Sequence, residues 1–587
     1  MKQLKSHIGD LSKANFSQHV DPLVQRILVA RNIFDDEDLD HRLAGLPRPE
    51  KLLGMEAAVT LLASALQKQQ HILILGDYDV DGATSTALAL RALRAMGAAN
   101  VSFLVPNRFE FGYGLSKAIA EVALQTSPDL IVTVDNGISS IEGVAWLQQQ
   151  GIDVVVTDHH LPGDHLPNAS AIVNPNQPGC EFPSKHLAGV GVLFYVMLGL
   201  RAYLRTLSWF EDNGIEEPKM ERYLDLVALG TVADLVPLDK VNRILVTKGL
   251  QSVRAGRCNP GIQALFDVSG RSIETARASD FGFAIGPRIN AAGRLEDIAE
   301  GIHCLMTDSP RHARELAIEL HAINQERQQI QAQMTEDAEN LVTAYLEEDI
   351  SGHLRTTPAG ICCYSEHWHQ GVVGLVASRI KDNLHRPTIA FAPASVDSGE
   401  QGELKGSGRS IPGIHLRDIL DRVATQYPQL IQKFGGHAMA AGLSIREQDY
   451  QQFAKVFDTQ IAQQATEALF QQTLWSDGEL RADSITLDLA LQLETLLPWG
   501  QHLAEPQFHG DFRVVTVRVL KDKHFKLELA DHADKYQFNA IWFNAASVTN
   551  IEEGDQLAAL YKLSVNRFRG QQNLQLMIVE HISPNTP

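Results

Sequence analysis

Carboxylates and imidazoles recur at short spacing in the first third of the chain, in Asp77-Tyr78-Asp79-Val80-Asp81, at Asp135, and in Asp158-His159-His160. Each group directly follows an apolar run: His71 to Leu75, Leu130 to Val134, and Val154 to Thr157. If those runs are neighbouring strands, five carboxylates and two imidazoles meet at one sheet edge. Carboxylates crowded in this way repel one another and take up protons unless cations neutralise them, so their convergence implies divalent metal. A donor set of carboxylate oxygens with a minority of imidazoles suits Mn²⁺ or Mg²⁺ better than a sulfur-rich structural zinc site.

Two other readings compete. Asp77-Tyr78-Asp79-Val80-Asp81-Gly82 matches the opening of an EF-hand calcium loop, but that loop ends in a glutamate at its twelfth position. Leu88 stands there, and the segment follows a strand pattern instead of a helix. Any one of the aspartates also suits the N-cap of a following helix. Capping does not account for the whole set.

The elements that must position these groups follow from hydrophobic periodicity. Runs at His71 to Leu75, Val101 to Val105, Leu130 to Val134 and Val154 to Thr157 read as buried parallel strands. Helical patterns at Ala83 to Met96, Ser116 to Leu124 and Ser139 to Gln150 alternate with them, the rhythm of a doubly wound sheet that binds ligands beyond its strands' carboxyl ends. A more helical stretch, 186–300, ends in the loop-like Gly286 to Arg294. From Arg311 to Glu347 there is no Pro or Gly, and the apolar spacing predicts one long helix, which either bridges two domains or packs in a core.

A second α/β pattern starts near Ala359, with strands at Ile361 to Tyr364 and Thr388 to Phe391 around a helix at Val372 to Leu384. Short strands from Phe512 to Ile578 suggest a small β-barrel. The expected architecture is α/β: an N-terminal helical segment (1–50), a parallel-sheet catalytic domain (51–306), a connecting helix (307–350), a second α/β domain (351–465) and a C-terminal barrel (466–587).

At 587 residues, the chain has room for about three to five folded units. A net charge of −20 rules out a broadly basic surface, so any nucleic-acid contact must come from local basic grooves. Cys180, Cys258, Cys304, Cys362 and Cys363 include no CxxC pair, which predicts reduced thiols and a cytoplasmic setting. No apolar leader opens the sequence and no run of about 18 apolar residues appears, so no membrane association is expected.

Taken together, Gly76 to Gly82, Val134 to Gly137, Thr157 to His160, Gly230-Thr231-Val232-Ala233-Asp234, Gly286 to Leu295 and Gly435 to Gly442 resemble the DHH superfamily of phosphoesterases. The match is nearest to its bacterial single-strand DNA exonucleases and runs through nearly the whole chain. The Gly435 to Gly442 stretch looks like the signature of the DHH-associated domain, and the C-terminal strands resemble an oligonucleotide-binding barrel. The resemblance implies metal ligation by Asp77, Asp79, Asp81, Asp135, His159 and Asp234 around two ions, Mn²⁺ or Mg²⁺, with Asp135 bridging them. It gives His160 a place at the scissile phosphate or in proton transfer, and makes Asp158 the acceptor that orients the histidines. One departure from relatives is Leu187-Ala188-Gly189-Val190-Gly191, where they carry Cys-Gly-Ala-Gly. It should bear on packing after the fifth strand and leave the metal site untouched.

Substrate contacts are expected from Arg108 and Tyr113, a phosphate-binding cation and a stacking ring, and from Arg288 and Asn290 in the loop-like Gly286 stretch. The alternative for Arg108 and Tyr113 is a loop arginine and a packed tyrosine. Gly406-Ser407-Gly408-Arg409-Ser410 combines flexible backbone donors, hydroxyls and a guanidinium, and the resemblance implies that Ser407 and Arg409 hold the 5′ end, with Arg379 and His437 on the backbone. In the barrel, Lys521, Lys523, His524, Lys526, Lys562, Arg567 and Arg569, interleaved with Phe525, Tyr561 and Phe568, fit either a strand-binding groove or a solvated face. The function so implied is 5′ to 3′ hydrolysis of single-stranded DNA to 5′-mononucleotides in repair and recombination. The expected protein is a monomer working beside a single-strand-binding protein and a helicase. The alternatives are a DHH phosphodiesterase acting on short oligonucleotides or cyclic dinucleotides, and an inactive single-strand-binding scaffold. The extra C-terminal barrel disfavours the first and the complete carboxylate set the second.

Overall fold

In the computed structural model, residues 2–17, 20–106, 114–347, 357–394, 402–546 and 549–582 are described. The strands in chain order are β1 (Lys2–Ser6), β2 (Ile72–Leu75), β3 (Val101–Leu104), β4 (Leu130–Val134), β5 (Asp153–Thr157) and β6 (Ala171–Val173). There follow β7 (Ile361–Tyr364), β8 (Thr388–Pro393), β9 (Glu403–Arg409), β10 (Lys433–Gly436), β11 (Ala440–Arg446) and β12 (Gln472–Ser476). The last are β13 (Phe508–Leu520), β14 (His524–Ala530), β15 (Gln537–Trp542), β16 (Gln556–Phe568) and β17 (Gln571–His581).

The first sheet has the order β3-β2-β4-β5-β6 with every pair parallel. Its strands are apolar on both faces because helices cover both. Ile72, Ile74, Val132 and Val134 point into the main core, while Leu73, Leu75, Ile131, Val154 and Val156 point into a second core beneath the Lys117–Leu124 and Ile141–Gln149 helices. The parallel register, Leu75 beside Thr133 and Val134 beside Thr157, brings the carboxyl ends of β2, β4 and β5 level with one another.

The long helix spans Pro310–Glu347, about 57 Å at 1.5 Å per residue. Both sequence readings of it hold. Ala313, Leu316, Ala317 and Leu320 enter the core of the first domain, whereas Met334 and Ala338 enter the core around β7 and β8. In the second sheet, β10-β11-β9-β8-β7, only β7 and β8 run parallel. β13 to β17 close a barrel.

Three expectations change. The opening segment contains a strand, β1, which pairs in parallel with β12 and so ties the N-terminus to the chain leading into the barrel. Gly286–Leu295 is a helix, not a loop, with Pro287 in its first turn, where the missing N–H costs nothing. Gly406 to Arg409 lies on β9, hydrogen-bonded to β8 and β11 on its two sides, so its backbone donors serve the sheet. All five cysteines are free thiols. Among the described residues no helix is long and apolar enough to cross a membrane.

Candidate active site

The carboxyl edge of the first sheet gathers the acidic groups. Asp77 to Asp81 turns from β2 into the Val80–Ala95 helix, and Asp79 caps that helix by accepting from the Gly82 N–H at 3.1 Å. The capping reading is therefore true of Asp79, alongside its place in the cluster. Asp135 follows β4 with φ 62°, a left-handed backbone that costs a non-glycine residue on the order of 1 kcal/mol or more. Asp234 closes the Leu224–Ala233 helix, and Asp158, His159 and His160 follow β5.

These groups meet. Ligating atoms of Asp77, Asp79 and Asp135, of Asp81, His159 and Asp234, and of Asp135, His159 and His160 form three sets, each within 4.8 Å of one another. His159 Nε2 is 3.1 Å from Asp135 Oδ1, 3.5 Å from Asp234 Oδ2 and 4.0 Å from Asp81 Oδ2. Those distances would suit ion pairs, but burial holds the His159 pKa down to about 4. The ring is neutral. The ring also bonds the Leu187 backbone, and its Nε2 points toward the carboxylates, as a metal-ligating histidine requires.

Burial, then the charge of Asp79, pushes Asp81 up to about 7. Burial first and neighbouring carboxylates second raise Asp77, Asp135 and Asp234 well above the usual range. His159 Nε2 and Asp234 Oδ2 are buried and make no hydrogen bond among the described residues. Buried polar atoms left in that condition are costly, and inward-facing hard oxygens with an imidazole lone pair are the donors that Mn²⁺ or Mg²⁺ takes. The site fits divalent cations.

Asp158 plays a different part. Its carboxylate accepts the N–H groups of Ile138, His159 and His160 and bonds His160 Nδ1 at 2.7 Å. Burial opposes its ionisation, but those bonds more than offset it, and its pKa falls below the usual value. The same pair raises His160 despite burial.

The Leu187 to Gly191 segment does reach the metal site. Asp81 Oδ2 and Oδ1 accept the Gly189 and Val190 N–H groups at 2.6 and 2.9 Å. A Cβ on Gly189 would sit 2.6 Å from the Asp135 Cβ, so only glycine fits there.

Three family models match in sequence order: the DHH family N-terminal domain at residues 71–231, the DHHA1 domain at 357–463 and the RecJ OB domain at 476–580. The single-stranded-DNA-specific exonuclease RecJ of Salmonella typhimurium is 47% identical over 98% of this chain and 98% of its own length. The chain belongs to the RecJ family. A crystal structure of RecJ with Mn²⁺ from Thermus thermophilus matches with a TM-score of 0.79 at 28% identity, covering 100% of this chain and 80% of that one. A Mg²⁺ complex from the same source matches with a TM-score of 0.73 at 26% identity, covering 100% and 78%. Membership of the RecJ family agrees with the resemblance read from the motifs and with the α/β fold class and terminal barrel expected from the strands.

The substrate residues fare unevenly. Arg108 and Tyr113 lie outside the described residues. Asn290 accepts the Val80 N–H at 3.1 Å, and Arg288 is largely buried, bonding His321 and the Ala284 carbonyl. Asn290 therefore braces the Asp77 to Asp81 turn and Arg288 the long helix, and both stand on a helix where a loop was expected. Ser407 and Arg409 share one face of β9, with Arg409 Nη1 3.1 Å from Ser407 Oγ. Arg379 is exposed on the Val373–Leu384 helix, whose Gly374 packs against Ser407 and Arg409. His437 follows β10; partial burial and then the nearby His160 lower its pKa, so the second domain faces the metal cluster across the cleft. The domains also touch directly, since Arg294 Nη1 donates to the Gly371 carbonyl at 3.2 Å. The glycine at 371 is required, because a Cβ there would meet the Arg294 carbonyl oxygen at 2.2 Å.

In the barrel, Phe525 and Tyr561 are core residues and stack on no strand. Lys562 and Arg567 are held by Glu505 and Glu494. Lys521, Lys523, Lys526, Phe568 and Arg569 stay exposed. Sequence reasoning missed Asn174 and Asn176, which bond the His160 and His159 carbonyls and fix their loop. It also missed Gly189, Val190, Arg294 and Gly371, whose partners are remote in sequence.

Proposed function

We propose that this chain is a single-strand-specific DNA exonuclease that hydrolyses phosphodiesters from the 5′ end and releases 5′-mononucleotides. The observation that carries the chemistry is the buried carboxylate cluster with the neutral His159 aimed into it. Asp77, Asp79, Asp81, Asp135, His159 and Asp234 would hold two divalent cations, Mn²⁺ or Mg²⁺, with Asp135 the residue the two would share. When bound, the ions activate water and neutralise charge on the attacking and leaving oxygens.

The protein's own groups do the remainder. His160, oriented by Asp158 and with its pKa raised by that bond, contacts the scissile phosphate and can deliver a proton to the leaving oxygen. Ser407 and Arg409 hold the terminal 5′ phosphate with charge-assisted bonds, Arg379 and His437 steady the adjacent backbone, and Arg108 and Tyr113 engage the strand beyond. The barrel keeps the rest of the strand in place. The RecJ OB match and the single-strand specificity in the names of the relatives support this substrate. In the cell the protein acts in the cytoplasm as a monomer, on strands exposed during repair and recombination, beside a single-strand-binding protein and a helicase.

A time course on 5′- and 3′-labelled single-stranded and duplex DNA with Mn²⁺ or Mg²⁺ tests the reading. Mononucleotides should appear at once from the 5′-labelled single strand and last from the 3′-labelled one. Degradation of blunt duplex at a similar rate, or early release of a 3′ label, would refute it.

A further inference from the structure

Thirteen non-glycine residues among those described have a left-handed backbone. Twelve are polar or charged, the types that tolerate this region best. The exception is Leu235, at φ 60°, and it follows Asp234 directly. Its side chain is 64% exposed, so no core contact accounts for an aliphatic residue there. Glycine would remove the strain and asparagine would reduce it. A second exposed leucine, Leu161, 66% exposed, directly follows His160. The Asp234 carboxylate is 3.5 Å from His159, so the two leucines border the same cluster from the helix side and from the β5 side. A lone exposed leucine is ordinary. A strained one directly after a residue of the carboxylate cluster is not.

We infer that Leu235 is a base-contact residue: it packs on the face of a nucleobase beside the scissile phosphate. Every base offers an apolar face, so the contact ignores sequence. In a duplex those faces are covered by stacked neighbours, so the contact selects an unpaired strand. The inference rests on the exonuclease reading above and assigns specificity within that site.

The test uses the full chain with Mn²⁺ and compares wild type, Leu235→Gly and Leu235→Asn by release of the first nucleotide. One substrate is 5′-phosphorylated oligothymidylate; the other carries abasic tetrahydrofuran residues at its first three positions. On the base-bearing strand both variants should show KM raised about ten-fold, the scale of one lost base contact, with kcat little changed. On the abasic strand, wild type and variants should coincide. The melting temperature of Leu235→Gly should be no lower than that of wild type, because its backbone is relieved. Wild-type behaviour of both variants on oligothymidylate would overturn the inference. So would an equal loss on both strands, which would mean a backbone or structural role. If wild type releases nothing from either strand, the exonuclease reading fails, and this inference with it.

Discussion

Asp158 Oδ1 lies 2.7 Å from His160 Nδ1 while also accepting the His159 and His160 backbone N–H groups. One oxygen thus sets both the protonation of the ring and the turn that carries it.

Asp158→Asn should disturb both. The amide cannot stabilise an imidazolium, and the rate on single-stranded DNA should fall about 10²–10⁴-fold, the usual worth of a positioned acid or base, with metal affinity much less affected. In wild type, ¹H–¹⁵N NMR should show His160 titrating above its ordinary 6.5, and in the variant the titration should move down. A group raised in this way stabilises the fold below its unfolded pKa and loses that contribution as pH rises through the folded value. An unmoved His160 titration would break the link between the two residues.

The carboxylate cluster has a consequence of the same sign at lower pH. Asp81 is raised to about 7, and Asp77, Asp135 and Asp234 are raised as well. The folded state then binds more protons than the unfolded one between roughly pH 4, the ordinary carboxylate value, and about 7. Stability of chelated protein should fall as pH climbs through that window. Mn²⁺ should restore it, with the largest gain in melting temperature at the top of the window. Thermal melts with and without chelator from pH 5 to 8 measure this, and a flat difference would be contrary to it.

Two aspartates of the cluster should respond differently to amidation. Asp234 Oδ2 makes no hydrogen bond among the described residues, so Asp234→Asn relieves repulsion and should raise the melting temperature of metal-free protein. Asp81 accepts the Gly189 and Val190 N–H groups on its two oxygens. Asp81→Asn would set an amide NH₂ against a backbone N–H and should destabilise by about 1–3 kcal/mol. Both variants should lose several orders of magnitude in nuclease rate while still binding DNA.

That contrast marks where the sequence was legible. Strand ends could be read from apolar runs, and short spacing put Asp77, Asp79, Asp81, Asp135, Asp158 and His159 at one edge from the linear pattern alone. Asp81 and Gly189 are 108 positions apart, and no local pattern announces their bond. Gly286 to Arg294 looked like a loop because it is rich in Gly and Pro. Pro287 sits where a helix tolerates proline, and Gly293 packs against the Tyr78 carbonyl, so tertiary contact overrode composition. Tyr561 and Phe525 looked like stacking rings because nothing in the linear pattern says which face of a barrel strand points inward.

Arg409→Ala should act on end recognition. Arg409 and Ser407 present a guanidinium and a hydroxyl from one face of β9, the pairing suited to a terminal phosphate. The preference for 5′-phosphate over 5′-hydroxyl strands, measured as a ratio of kcat/KM, should shrink about 10–100-fold, the worth of one charge-assisted contact. Equal losses on both strands would assign Arg409 to fold support instead.

The barrel offers a test by salt. Lys521, Lys523 and Lys526 are exposed and make no ion pair among the described residues, whereas Lys562 lies 2.8 Å from Glu505. Each lysine that neutralises a strand phosphate adds about 0.7 to the slope of log affinity against log salt. Replacing all three with alanine should therefore flatten that slope by about 2, measured by fluorescence anisotropy with single-stranded DNA in chelator, where no turnover occurs. Lys562→Ala should change the slope far less, because its charge is already met by Glu505. Affinity at low salt should fall most in the triple variant, and kcat at saturating DNA should hold in both, since neither touches the carboxylate cluster. If Lys562→Ala flattened the slope and the triple variant did not, the strand would have to run over the Glu505 side of the barrel and displace that carboxylate, and the exposed lysines would be no more than a solvated edge.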